Sequence, residues 1–291
     1  MDIIEDLKRQ YKYGGTLIKL IYINVAVFIA ISIVSLITYL VRGVGYDISD
    51  FFAFPSNMHL FLLKPWTIFT YMFIHAGIWH ILFNLLWLYW FGQIFLQYLT
   101  QKQLLFVYIS GGIVGALLYA LAYNISPAFD MERFGSSLVG ASGAIMAIVI
   151  AISAIVPDYS INLLLFGKVK LKYIALFTII LDILSIQSSN AGGHIAHLGG
   201  ALWGYIYAVR YRSGKDFSKV FITFFSKITG VFKRRPKMKV SYKKPSDDKE
   251  YLKTKAEMQK ETDRILDKIA KGGYGSLTND EKDFLFRQSN R

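Results

Sequence analysis

Six apolar runs stand out along the chain, at about residues 16–41, 76–98, 103–123, 141–156, 171–187 and 194–211. A hydrocarbon core of about 30 Å takes about 20 helical residues to cross, so each run predicts a membrane helix. The fold class expected is all-α, a polytopic bundle of six transmembrane helices. The fourth and fifth runs are short. A helix of about 16 residues rises only about 24 Å. If the fourth ends at the inner surface near Pro157 and Asp158, it must begin below the outer one. The loop before it then dips into the membrane, where irregular backbone survives only if protein buries it or a water-filled cavity satisfies it. The first run is too long for the core of a cleaved signal peptide and lacks an A-x-A-like site, so it reads as a first membrane helix.

The segments between and after these runs carry patterns of their own. Loop 43–75 holds Phe51, Phe52, Phe54, Met58, Leu60, Phe61, Leu62, Leu63 and Trp66, which predicts an interfacial hairpin lying partly among lipid headgroups. Past the last run, Phe217, Val220, Phe221, Phe224, Phe225 and Ile228 recur at helical spacing and predict an amphipathic helix on the membrane surface. The pattern from Glu250 to Lys271 is helical and Gly272-Gly273 ends it, after which Thr278-x-x-Glu281 predicts a capping box for a last short helix. The expected organisation is an N-terminal segment 1–15, a membrane-embedded domain 16–211 and a basic helical extension 212–291.

Charge refines this layout. Of the 291 residues 54% are hydrophobic and 16% aromatic, more than the surface of a soluble domain accommodates. The formal charge is +13, and 22 of the 33 Lys and Arg residues lie from Arg210 onward, against 11 of the 20 Asp and Glu. That imbalance belongs to the tail, so the partner expected for Lys233–Lys239 is the anionic headgroups of membrane lipids and not nucleic acid. Lys8, Arg9, Lys12, Lys102, Lys168, Lys170, Lys172 and the tail fall on alternate connections, while the opposite set carries only Lys64 and Arg133. Both termini are therefore expected in the cytoplasm, with the second, fourth and sixth helices entering from the outer face. With no cysteine, disulfides, thiolate catalysis and Cys-ligated zinc or iron–sulfur sites are excluded.

Polar groups inside a membrane are costly, and here they cluster. His75, His80 and Asn84 sit in the outer half of the second helix, Ser142 opens the fourth within Gly140-Ala-Ser-Gly143, and His194 and His197 open the sixth. A serine hydroxyl is a weak nucleophile until a base takes its proton, and a neutral imidazole is the usual base at pH 7. Ser142 with one of these histidines supplies that pair. A serine at a helix N-terminus also brings its own N–H and the positive end of the helix dipole to a developing oxyanion. His80 and Asn84, four residues apart, share a face and can add two more donors. Gly140 and Gly143 permit close backbone approach, and Gly200-x-x-x-Gly204 and Gly111-x-x-x-Gly115 are packing surfaces.

In the H-x-x-x-N element at His80 and Asn84, the G-x-S-G element at Gly140–Gly143 and the A-H-x-G-G-x-x-x-G element from Ala196 to Gly204, the chain resembles the rhomboid family of intramembrane serine proteases over residues 16–211. The resemblance implies a six-helix core working by a Ser–His dyad without metal or cofactor. Ser142 attacks, His197 serves as base and then acid, and His80, Asn84 and Ser142 form the oxyanion hole. His197 takes the role over His194 because Leu-Gly-Gly follows it, leaving His194 at the rim; His75, Gly140, Gly143 and Gly200 support the site. Single-pass transmembrane proteins are the implied substrates, entering between the second and fifth helices and cut near the outer boundary. Two departures are visible: Thr67 follows Trp66 where the family has Trp-Arg, and Met146 stands where some members carry tyrosine.

Asp182, the acid well inside the fifth helix, is expected to pair or be hydrated at a helix interface and is not assigned to the site. The polar loop 187–193 suits a mobile cap. A bacterial plasma membrane is the expected location. The rival functions are a non-catalytic rhomboid relative that binds membrane clients, a His-ligated metal or haem membrane protein, and a transporter.

Overall fold

The computed structural model describes residues 3–43, 48–163, 167–187, 190–221, 223 and 248–289. The chain divides into two compact units, Met1–Val231 and Phe232–Arg291.

Each of the six apolar runs is a helix. After a short α1 (Ile3–Tyr13) come α2 (Thr16–Arg42), α5 (Ile78–Tyr98), α6 (Gln101–Ile125), α7 (Ser142–Ile155), α8 (Leu171–Ser185) and α9 (Ala191–Arg212), with the small helices α3 (Met58–Leu63) and α4 (Thr67–Thr70) between α2 and α5. The chain is thus an all-α, polytopic membrane protein. Three helices, α2, α5 and α6, are long and apolar enough by themselves to cross a bilayer. Their outward faces, and that of α8, present Leu, Ile, Phe and Trp side chains such as Leu36, Trp79, Phe83, Phe177 and Leu184, a surface suited to lipid and not to water.

The 14-residue α7 is the axis of the bundle. Gly143 through Ser153 are all buried, as an apolar helix with no polar stripe requires. Around it pack α5, α6, α8 and α9. Lipid tails are as apolar as leucine, so such seams depend on close packing of small residues. At Gly200 of α9 an added methyl group would run into the Gly143 carbonyl, and at Gly204 into that of Ala147. Gly111 and Gly115 of α6 meet Ala147 and Ala196 in the same way.

The segment 48–75 departs from the expected hairpin. It runs through a turn of 3₁₀ helix (Ile48–Phe51), β1 (Phe54–Pro55), α3, α4 and a second 3₁₀ turn (Tyr71–Phe73), and β1 pairs with β2 (Ser137–Leu138) far along the chain. Phe54 is buried in the core while Leu62 and Leu63 are exposed, so the apolar residues divide between two faces. This pairing supplies the backbone partners that the loop before α7 lacks within itself. Ser56 N–H and Oγ donate to Ser136 O at 3.1 and 2.8 Å, and Gly140 N–H donates to Tyr71 O at 3.0 Å. Such bonds are what allow irregular backbone to sit at membrane depth.

Between α7 and α8 lies a hairpin of β3 (Ser160–Leu163) and β4 (Gly167–Lys170), which the apolar pattern does not signal. At its base Lys170 and Lys172 each reach Asp158 at 2.9 Å, and Lys172 first, then Lys170, hold that carboxyl down to about 2. Beyond α9, Asp216 accepts from Gln103 Nε2 at 2.9 Å, tying the chain to the start of α6. Phe224, Phe225 and Ile228 of the amphipathic run and all of the basic stretch Lys233–Lys239 lie outside the described residues.

The second unit holds α10 (Asp248–Gly272) and α11 (Asn279–Ser289), with Ile265 and Leu277 buried between them. Both halves of the capping box form: Glu281 N–H donates to Thr278 Oγ1 at 3.3 Å, and Thr278 N–H donates to Glu281 Oε2 at 2.8 Å.

Candidate active site

A cavity of about 590 Å³ lies between α5, α7, α8, α9 and the loop before α7. Ser142, His197, His80 and Asn84 all line it. Three helices bring these residues from distant parts of the chain, and the reason they converge is the small-residue seam of α7 with α9. Ser142 is the first residue of α7 and Gly143, one step on, touches Gly200, three residues past His197. At the Gly143–Gly200 contact no side chain separates α7 from α9. Among the described residues no hydrogen bond joins Ser142 to His197; the two face the same space.

His80 is oriented by its own helix entry. The Ala76 N–H donates to His80 Nδ1 at 3.3 Å, which assigns the proton of a neutral ring to Nε2. That nitrogen lies close to Ser142, since a methyl group added at Gly140 would come to 2.8 Å from His80 Nε2 and 3.6 Å from Ser142 Oγ. Gly140 has φ +119°, so both conformation and space require glycine there. Asn84 donates one amide hydrogen to His80 O at 2.8 Å, leaving the second for the cavity. His75 is buried and does not line the cavity; its ring meets that of His80 edge-on, with centroids 5.1 Å apart.

Asp182 belongs with this group, contrary to the sequence reading that set it aside. Its Oδ1 lies 2.8 Å from His197 Nδ1 and also 2.8 Å from His194 Nδ1. Asp182 does pair at a helix interface, and its partners are the two histidines of α9. The carboxylate is an acceptor only, so His197 donates from Nδ1 and its Nε2 keeps a free lone pair. His194, expected at the rim, is drawn to the same oxygen and lines the cavity. The signal available in the sequence was a lone acid in an apolar run, 12 and 15 residues ahead of two histidines one turn apart.

Of the remaining expectations, Met146 lines the cavity beside the polar groups, with Phe83, Trp87 and Leu181 forming apolar wall. Trp66 is anchored without the missing arginine, its Nε1 donating to Phe51 O at 3.0 Å. In the loop expected to act as a cap, Asn190 and Gly193 line the cavity, and Ser188 and Ser189 lie outside the described residues.

Comparison with known proteins agrees with the motifs. Residues 63–214 match the Rhomboid domain, and residues 246–291 match a family of unknown function (DUF6576). RHOMBOID-like protein 12, mitochondrial, of Arabidopsis thaliana is 30% identical over 51% of this chain and 47% of its own length. The Presenilin-associated rhomboid-like protein, mitochondrial, of Bos taurus is 30% identical over 46% of this chain and 35% of its own. RHOMBOID-like protein 1 of Arabidopsis thaliana is 30% identical over 56% of this chain and 39% of its own. The matches thus span less than half of each relative's length. With the domain match covering more than half of its residues, on a membrane bundle whose helices α5, α7 and α9 carry the family's three motifs, this chain belongs to the rhomboid family.

Proposed function

We propose that the protein is an intramembrane serine endopeptidase that cuts single-pass transmembrane proteins near the outer membrane boundary. The observation that carries this reading is the convergence of Ser142, His197, His80 and Asn84 on one cavity, with His197 held through Nδ1 so that Nε2 is the free base. Ser142 Oγ attacks the scissile carbonyl while its proton passes to His197 Nε2. The Ser142–His197 contact tightens when substrate binds, as such bonds do. The oxyanion accepts hydrogen bonds from His80 Nε2–H, the second Asn84 amide hydrogen and the Ser142 N–H, in surroundings where such bonds are strong. His197 then gives its proton to the leaving amine as the C–N bond breaks, and water releases the acyl group by the same steps in reverse. Asp182 enters the reaction only through His197, as a positioning residue that fixes its tautomer. Substrate enters between α5 and α8, whose Phe83, Trp87, Thr178 and Leu181 wall the cavity.

The domain from 16 to 211 is read as the membrane-embedded protease core, with both termini on the cytoplasmic side and the extension from 212 meeting anionic headgroups. A bacterial plasma membrane gains no support from the relatives above, two of which are named mitochondrial.

The test is reconstitution with a fluorogenic transmembrane substrate, comparing wild type with Ser142→Ala and His197→Ala. Wild type is expected to cleave and both variants to lose cleavage; retained cleavage in both overturns the dyad. Fluorophosphonate labelling that disappears in Ser142→Ala checks the nucleophile independently.

A further inference from the structure

We infer that Asp182, His194 and His197 form a binding site for a zinc-type transition-metal ion, and that the ion switches the protease off. The site stands on geometry alone; the switch rests on the protease reading above.

One ligand atom each from Asp182, His194 and His197 lies within 4.8 Å of the other two, and Asp182 Oδ1 is 2.8 Å from the Nδ1 atoms of both histidines. A tetrahedral zinc ion, with ligands at 2.0–2.1 Å, holds its donor atoms about 3.3 Å apart. Lengthening each N–O separation by about half an ångström and turning the two rings toward a common centre brings the three donors to three corners of that tetrahedron. The two histidines, one turn apart on α9, present the same face, and α8 supplies the carboxylate opposite. Asp182 is buried, so its negative charge is screened little by water. All three residues line the cavity, which supplies the approach and leaves a fourth position for water. Two imidazoles with one carboxylate are a donor set for zinc, copper or nickel, and a poor one for magnesium or calcium.

Occupancy changes the base. With Asp182 as acceptor, the His197 ring proton is on Nδ1 and Nε2 has the free lone pair. An ion on Nδ1 displaces that proton to water, and a neutral ring then takes a proton at Nε2, with the charge of the ring unchanged. His197 Nε2 becomes a donor and can no longer receive the Ser142 proton. Asp182 is recruited as a ligand in the same event, so the base loses its orienting partner too.

The full chain, purified without a polyhistidine tag, is titrated with Zn²⁺ by calorimetry on the Ser142→Ala background, where proteolysis plays no part. One ion per chain is expected, unaffected by excess Mg²⁺ or Ca²⁺. Losing even a group that only orients a metal ligand costs about 10–100-fold, so removing a ligand itself by His194→Ala or Asp182→Asn is expected to weaken binding by more than about tenfold. Phe83→Ala, on α5 and so on neither helix that supplies the ligands, is expected to leave binding unchanged. No stoichiometric binding, or binding equal in the His194→Ala protein, overturns the site. Cleavage is then followed with and without Zn²⁺, each variant referred to its own metal-free rate. Inhibition reversed by chelator in wild type, and shifted to more than about tenfold higher Zn²⁺ in His194→Ala, is expected. Binding without inhibition overturns the switch and leaves the site standing, while absence of metal-free cleavage in wild type counts against the protease reading and not against the calorimetry.

Discussion

Asp182 and His197 meet at 2.8 Å, Oδ1 to Nδ1, across the interface of α8 and α9, and this contact places the proton of a neutral His197 ring on Nδ1. Replacing Asp182 by Asn offers the ring an amide that can donate instead of accept, favouring the tautomer with its proton on Nε2. General-base contributions are worth about 10²–10⁴-fold, so Asp182→Asn is expected to lower kcat by about 10²-fold or more with KM little altered. Steady-state kinetics on a reconstituted substrate decides it; an Asn variant as fast as wild type removes Asp182 from the mechanism.

His80 is expected to act in the transition state and not in ground-state binding. Loss of one oxyanion donor costs about 10²–10³ in kcat, and His80→Ala should fall in that range while fluorophosphonate still labels Ser142. A variant that raises KM alone would place His80 in substrate binding.

The seam between α7 and α9 makes a stability prediction. Gly200→Ala drives a methyl group into the Gly143 carbonyl, and overpacking of this kind costs about 1–3 kcal/mol. Thermal unfolding in detergent is expected to show that loss for Gly200→Ala and no comparable loss for Leu202→Ala, whose side chain is exposed. Equal losses at both positions would mean that the seam is not specially tight.

The second unit carries a pH prediction. Lys268 above all, then the Thr278 N–H and Arg264, hold the Glu281 carboxyl down to about 2 from an ordinary 4.5. A depressed folded-state value means that the contribution of Glu281 is fully present above about 4.5 and is lost as pH falls through about 2. Hydrogen exchange across α10 and α11, compared between wild type and Glu281→Gln at matched pH, should show wild type better protected at pH 7 and at pH 4. An advantage that vanishes already at pH 4 contradicts the pairing.

The six helices were legible because a lipid environment demands apolar side chains, and each run from Thr16 to Arg212 is apolar in its own residues, α2, α5 and α6 at full crossing length. The motif residues Ser142, His80, Asn84 and His197 were legible because polar groups are conspicuous against an apolar background. Tertiary pairings were not. Phe54 opposite Leu138 is a two-residue ladder with no periodicity to announce it, and Thr67 in place of arginine concealed that Trp66 is anchored by Phe51 instead. Asp182 was visible as a lone acid, yet its partners lie on another helix, and only the packing of α8 on α9 says that it meets His197.

Where Gly143 and Gly200 touch, main chain rests on main chain, so the gauge between the helices that carry Ser142 and His197 is set by the width of two bare helices. Substitutions elsewhere in the bundle have no side chain at that joint through which to widen or narrow it. A scaffold of this kind can diversify along its lipid-facing helices while Ser142 and His197 keep one spacing.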